Sequence, residues 1–179
     1  MLQYLGLFNV LFIIGGLVWL AGRDKNYSLS KKPISAIADN KQNKIWLILL
    51  ICIFSLLQFI FAEIVLRRLN LEHAALLTAF LLLGVATLIA SAITVQSYII
   101  LHRRLVQLGV ALIVTGVMLL ALGILRKNQF AGIIIIIATP ILLIIQHILR
   151  NIRKVGYWEL PLLLMVLVWN LTVTFLLQR

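Results

Sequence analysis

The chain of 179 residues is 63% hydrophobic and 12% charged, which excludes an ordinary soluble domain, since such a domain needs far more polar residues to clothe its surface. Its formal charge of +11 does not point to nucleic acid. Lys and Arg cluster just beyond long apolar runs, where lipid headgroups lie, and no stretch interleaves them with stacking aromatics.

Six runs approach the roughly 20 apolar residues that cross a bilayer: about 2–21, 45–66, 74–100, 105–125, 130–149 and 159–177. Backbone polar groups in lipid must satisfy one another locally, and no period-2 alternation supports a barrel, so each run is expected to be helical. The fold class expected is all-α: a polytopic transmembrane six-helix bundle with short loops, forming a single transmembrane domain over 1–179.

The first run has no basic segment before it and is long enough to span, so it is read as a retained helix and not a cleaved signal. The segment after it, Gly22 to Lys44, carries charges, Pro33 and several serines and is the one connection with room for structure of its own. In the second run Cys52 is the lone cysteine. It excludes an intrachain disulfide, a CxxC redox pair and a zinc site of its own, and is read as a small packed hydrophobe. Glu63 and Arg67 are four residues apart, the spacing of a local ion pair. Glu72 and His73 precede the third run, where an acidic group favours the positive end of the helix. Thr87, Ser91, Thr94 and Tyr98 recur at spacings of four, three and four, so they share a face that is expected to point inward.

In the fourth run Gly109, Gly116 and Gly123 repeat every seven residues, a smooth stripe suited to close helix packing. Pro140, after Thr139, interrupts the fifth run and is expected to kink it. Gln58, Gln146 and Asn170 lie inside spans, where amides hydrogen-bond across helices.

Loops one, three and five hold eleven basic residues, among them Arg103, Arg104, Arg150, Arg153 and Lys154, against five on the other side: Arg67, Arg68, Arg126, Lys127 and Arg179. The richer side is expected to be cytoplasmic, with both termini outside, and the setting expected is the plasma membrane of a prokaryote. Trp19, Trp46, Tyr98, Tyr157 and Trp158 fall near that face, at headgroup depth.

Ionisable groups in or beside spans are costly and so become candidates for function. Ser35, Asp39, His102, His147 and Glu159 all belong to the charge-rich face. One reading is a polar site in which a carboxylate orients a histidine that moves a proton or binds a headgroup. The other is that these groups are interfacial, solvated and paired with nearby Arg. No catalytic residue is assigned, since no nucleophile stands beside them. No cofactor and no metal is expected: His102 and His147 lie too close to one interface to hold haem between them, and no HExxH-type pair is present.

Tyr27-Ser28, Pro33-Ile34-Ser35, His102, and Gly156-Tyr157-Trp158-Glu159 leading to Trp169 form an ordered pattern along nearly the whole chain. It resembles a widespread six-helix integral membrane family of unknown function, distantly similar to the damage-regulated autophagy modulator (DRAM) proteins. Such families carry Glu or Gly after the Ile-Ser pair, where this chain has Ala36-Ile37-Ala38, and Glu-Arg at the last helix, where Leu160 follows Glu159. The resemblance implies the architecture and a shared site at Ser35, His102 and Glu159; it implies no agreed reaction.

The function expected is non-enzymatic: binding of lipid or a small molecule, or an accessory subunit of a membrane assembly. Partners are the bilayer and other membrane subunits or further copies of the chain, not nucleic acid. The alternatives are a lipid-modifying enzyme with a His/Glu site at one membrane face and a small oligomeric transporter.

Overall fold

The computed structural model describes residues 4–25, 27–32, 34–70, 74–94, 99–152 and 157–178. Pro33, Glu72, His73, Tyr98, Arg153, Lys154, Gly156 and Arg179 lie outside the described residues. Within them all regular structure is helical, with no strand: α1 (Leu5–Gly22), a 3-10 helix (Ile34–Asp39), α2 (Lys41–Leu69), α3 (Ala74–Thr94), α4 (Ile99–Lys127), α5 (Gln129–Asn151), a 3-10 turn (Tyr157–Glu159) and α6 (Leu160–Gln178).

Helix ends follow from local chemistry. Asn40 caps α2, its side chain accepting from the Gln42 amide at 3.0 Å, and Asn128 caps α5 by accepting from the Ala131 amide at 3.0 Å, each satisfying an otherwise orphaned donor. Asn70 ends α2 at φ 44°, ψ 57°, a left-handed conformation that asparagine tolerates better than most residues. Arg67 and Arg68, Arg126 and Lys127, and Arg150 occupy the last turns of α2, α4 and α5, where they offset the negative helix end. Their placement therefore has a local reason as well as a topological one.

Two helices run past the apolar runs that announced them. α2 begins at Lys41 instead of 45, and α4 at Ile99 instead of 105. Apolar counting stops at a charge, but helix propagation does not: Lys, Gln and Arg are good helix formers and extend the helix into the headgroup layer. Of the third run, expected to reach 100, the helix is described to Thr94, residues 95–98 lie outside the described residues, and residues 99 and 100 belong to α4. α5 continues through Pro140 to Asn151. The neighbouring Thr139 hydroxyl donates to Ile135 O at 2.8 Å and is satisfied within its own helix.

Each helix packs on the next in sequence, and α6 returns to α1, so the six close into a ring. Neighbours are antiparallel. Gly6 meets the Phe61 ring while Gly16 meets Leu50, Gly84 faces Gly109 and Ile113, and Gly132 faces Leu125. At this last contact a Cβ would lie 2.6 Å from Leu125 Cα, so glycine lets α4 and α5 turn sharply about Asn128. At Gly84 a Cβ would lie 2.5 Å from Ile113 Cγ1 and 3.3 Å from Gly109 O, the close approach of α3 and α4. Gly109 and Gly116 are buried and Gly123 is half-buried.

The exterior is apolar as well as the core, unlike that of a soluble bundle. Leu11, Val18, Leu83, Phe130, Ile137, Ile144 and Phe175 face outward, while Asn9, Asn43, Ser55, Ser91, Thr139, Asn170 and Thr174 are buried. An apolar exterior around polar interior contacts matches a hydrocarbon solvent. Four helices, Leu5–Gly22, Lys41–Leu69, Ile100–Lys127 and Gln129–Asn151, are long and apolar enough to cross a membrane. The chain is accordingly a membrane protein in its composition and its packing.

Candidate functional site

The segment between α1 and α2 folds against the helices that flank it. Its hydrogen-bonded turns, Tyr27 N to Asp24 O and Lys31 N and Lys32 N to Ser28 O, each at 2.9 Å, fold the polar part. Its apolar part is drawn inward, with Ile37 and Ala38 each only 1% exposed against Leu20, Leu47 and Leu50. Burying these two residues at adjacent positions of a 3-10 helix sets the rotation of that helix and points its start at the beginning of α6.

Ser35 and Glu159, 124 residues apart in sequence, meet there. The Ser35 amide donates to Glu159 Oε2 at 3.2 Å and its hydroxyl donates to Oε1 at 3.3 Å. The Ile34 amide is a further donor to the same carboxylate. Among the described residues no Lys or Arg pairs with it, so the charge is met only by neutral donors. Burial pushes the Glu159 carboxyl above its ordinary value, and the bonds from Ser35 and Ile34 draw it part of the way back. Tyr27 lies near enough to respond: burial first, and the Glu159 charge second, push its phenol up to about 12. The Tyr27 hydroxyl is buried and makes no hydrogen bond.

The other candidates from the sequence lie elsewhere. Asp39 is exposed at the far end of the 3-10 helix. His102 Nδ1 is 2.8 Å from Ser91 O, and since a carbonyl can only accept, that nitrogen carries the proton. The contact ties the start of α4 to α3. Of the polar stripe on α3, Ser91 is buried and Thr87 donates to Leu83 O and Gly84 O; the side chain of Thr94 lies outside the described residues. His147 is exposed, its Nε2 3.1 Å from Asn151 Nδ2. At the opposite end Glu63 pairs with Arg67 at 3.5 Å and also accepts from the Thr78 hydroxyl at 2.6 Å. Among the described residues no three His, Cys, Asp or Glu side chains converge as metal ligands.

A second polar centre lies within the apolar part of the bundle. Gln58 and Asn170 exchange two amide hydrogen bonds, at 2.8 and 3.0 Å. Asn9 Nδ2 donates to Gln58 Oε1 at 2.8 Å and to Phe54 O at 3.2 Å, and Asn170 Nδ2 also reaches Gly6 O at 3.1 Å. The cluster joins α1, α2 and α6, and its members on α1 and α6 are fully buried. Gln146, on α5, has no part in it. Asn9 was not among the residues singled out from the sequence, although an amide inside an apolar run is itself the signal, since it must find a partner in hydrocarbon. Tyr27 was visible only through the family resemblance.

No protein-family model matches the chain, and no curated protein or solved structure is significantly similar to it.

Proposed function

We propose that the chain crosses the bilayer six times, with loops one, three and five on the cytoplasmic side of a prokaryotic plasma membrane, and that its role there is binding or assembly and not catalysis. Six crossings are supported by the antiparallel ring, in which α3 and α6 lie alongside helices long and apolar enough to cross a membrane. The 21 residues of α3 give about 31 Å of helix, close to the hydrocarbon thickness. The family resemblance, with its shared positions Ser35, His102 and Glu159, belongs to the same proposal.

The observation that carries the role is the arrangement at Glu159. Its carboxylate is held by Ser35 and Ile34 beneath the loop-one fold, whereas His102 and His147 are engaged by Ser91 and Asn151. The groups gathered at this point are the Glu159 carboxylate, the Ser35 hydroxyl and, nearby, the Tyr27 phenol. That set suits recognition of a lipid headgroup or small polar molecule. An accessory subunit would use the same loop-one face toward its partner.

Topology is tested with single cysteines placed at Lys25, Arg68, Arg104, Gln129 and Asn151 in a Cys52→Ala background. Labelling by an impermeant maleimide should alternate from loop to loop, with Arg68 and Gln129 positions reactive in intact cells. Two consecutive loops reacting from the same side would remove a span. The role is tested by native mass spectrometry of protein extracted in mild detergent: a bound lipid or metabolite present in the wild type should be lost from Glu159→Gln and from Ser35→Ala. Identical spectra for the three proteins would reject a site there.

A further inference from the structure

The outer seam between α1 and α2 has one polar feature at the edge of an apolar wall. Trp19, in the last turn of α1, meets Trp46, near the start of α2, edge to face, with ring centroids 5.8 Å apart and planes at 87°. The Arg23 guanidinium carbon stands 4.8 Å from the Trp19 ring centroid, a cation–π contact that holds an otherwise mobile side chain in place. Both rings are about half exposed, at 49% and 48%, and Arg23 is exposed. Among the described residues no carboxylate pairs with this guanidinium. The backbone of Arg23 is anchored too, its amide returning to the Trp19 and Leu20 carbonyls at 3.2 Å.

The outer face on either side of the seam is otherwise apolar: Val18 and Leu11 on α1 and Ile45, Leu49 and Ile53 on α2 are exposed. One turn below Trp19 stands Gly15, where an added Cβ would meet nothing within 4 Å. The outer face of α1 is thus open beneath the tryptophan. A guanidinium held on one of two paired indoles, beside an exposed apolar surface, has the order of parts that meets a phospholipid: phosphate, glycerol region, acyl chain.

We infer that this seam is a binding site for one anionic glycerophospholipid, its phosphate on Arg23, its glycerol region against Trp19 and Trp46, and an acyl chain lying along Gly15 and Leu11. The inference rests on the chain being embedded in a bilayer but not on the site at Glu159. Guanidinium suits phosphate because its planar fork gives two parallel donors. An anionic lipid is favoured over a zwitterionic one because the surrounding loop adds Lys25 and other basic residues while only the anionic lipid brings net negative charge.

The test uses the full chain reconstituted in nanodiscs of phosphatidylcholine containing phosphatidylglycerol, then stripped stepwise in detergent while retained lipids are counted by native mass spectrometry. The wild type should keep one phosphatidylglycerol after the phosphatidylcholine has gone. Arg23→Gln should lower that retention about fivefold, the weight of one basic residue at an anionic surface, while Arg68→Gln, an exposed arginine at the other end of α2, should leave it unchanged. Trp19→Leu should lower it too, and the double variant at least as far as Arg23→Gln alone, because the ring both holds the arginine and meets the glycerol region. Equal retention in wild type and Arg23→Gln overturns the site. So does a lipid-independent dimer abolished by Trp19→Leu, which would assign the seam to a second copy of the chain. Integration into nanodiscs without lipid preference defeats this inference alone; failure to integrate defeats the membrane reading as well.

Discussion

Replacing Asn170 by the nearly isosteric leucine tests whether the buried amides hold α6 to the rest of the bundle. Asn170 takes part in three bonds, to Gly6 O at 3.1 Å and in both directions with Gln58 at 2.8 and 3.0 Å. Interhelical hydrogen bonds in membrane proteins average about 0.6 kcal/mol, so the three amount to about 2 kcal/mol. The Gln58 amide nitrogen, stranded without its acceptor, adds to this, since an orphaned buried donor costs about 1–3 kcal/mol. Leucine brings no compensating gain, because the medium outside is as apolar as the site. We expect a loss of about 3–5 kcal/mol, read from reversible unfolding in mixed micelles by tryptophan fluorescence. Gln58→Leu should behave similarly, and the double variant should cost at least about 1 kcal/mol less than the sum, because it leaves no stranded partner across the α2–α6 contact. A single-variant loss below about 0.5 kcal/mol, or strict additivity, would refute the reasoning.

Gly132→Ala should cost about 1–3 kcal/mol, since its methyl would lie 2.6 Å from the Leu125 backbone; Gly15→Ala, with open space around it, should instead gain about 0.5–1 kcal/mol from helix propensity. The same unfolding assay separates them by sign. Glu159 has a folded pKa raised above 4.5, so the folded protein binds more protons than the unfolded chain, and stability should fall as pH rises from 4.5 through the folded value. Glu159→Gln should flatten this dependence in thermal unfolding curves; an unchanged slope would mean that another group sets it. Tyr27, pushed up to about 12 by burial and the Glu159 charge, should titrate lower in Glu159→Gln, by ultraviolet absorbance, while staying above an ordinary tyrosine.

The helices were legible because hydrocarbon leaves a coarse signal: length of apolar run. Their ends were less so, since a charge such as Lys41 or Arg103 ends an apolar count without ending a helix. Ser35 and Glu159 could each be singled out as polar groups at one face, but their meeting depends on α6 returning to α1, a relation across 124 residues that no local pattern encodes. The histidines show the complementary limit. Sequence placed His102 and His147 at the same end, yet which way a side chain points depends on helix rotation, and rotation is decided by packing partners such as Ser91. Asn9 was readable by the same rule that picked out Gln58 and Asn170.

Ring closure has a consequence for biogenesis. Helices enter the membrane in the order they are made, and Asn170 reaches its contact with Gly6 across 164 residues of chain. Until then Asn9 and Gln58 have only each other and the Phe54 carbonyl, and the α1 and α2 surfaces that α6 will cover lie open to lipid or to the insertion machinery. α6, made after the other five helices, therefore brings the amide that joins the Asn9–Gln58 pair, and a chain stalled before it leaves the Gln58 amide nitrogen without that acceptor.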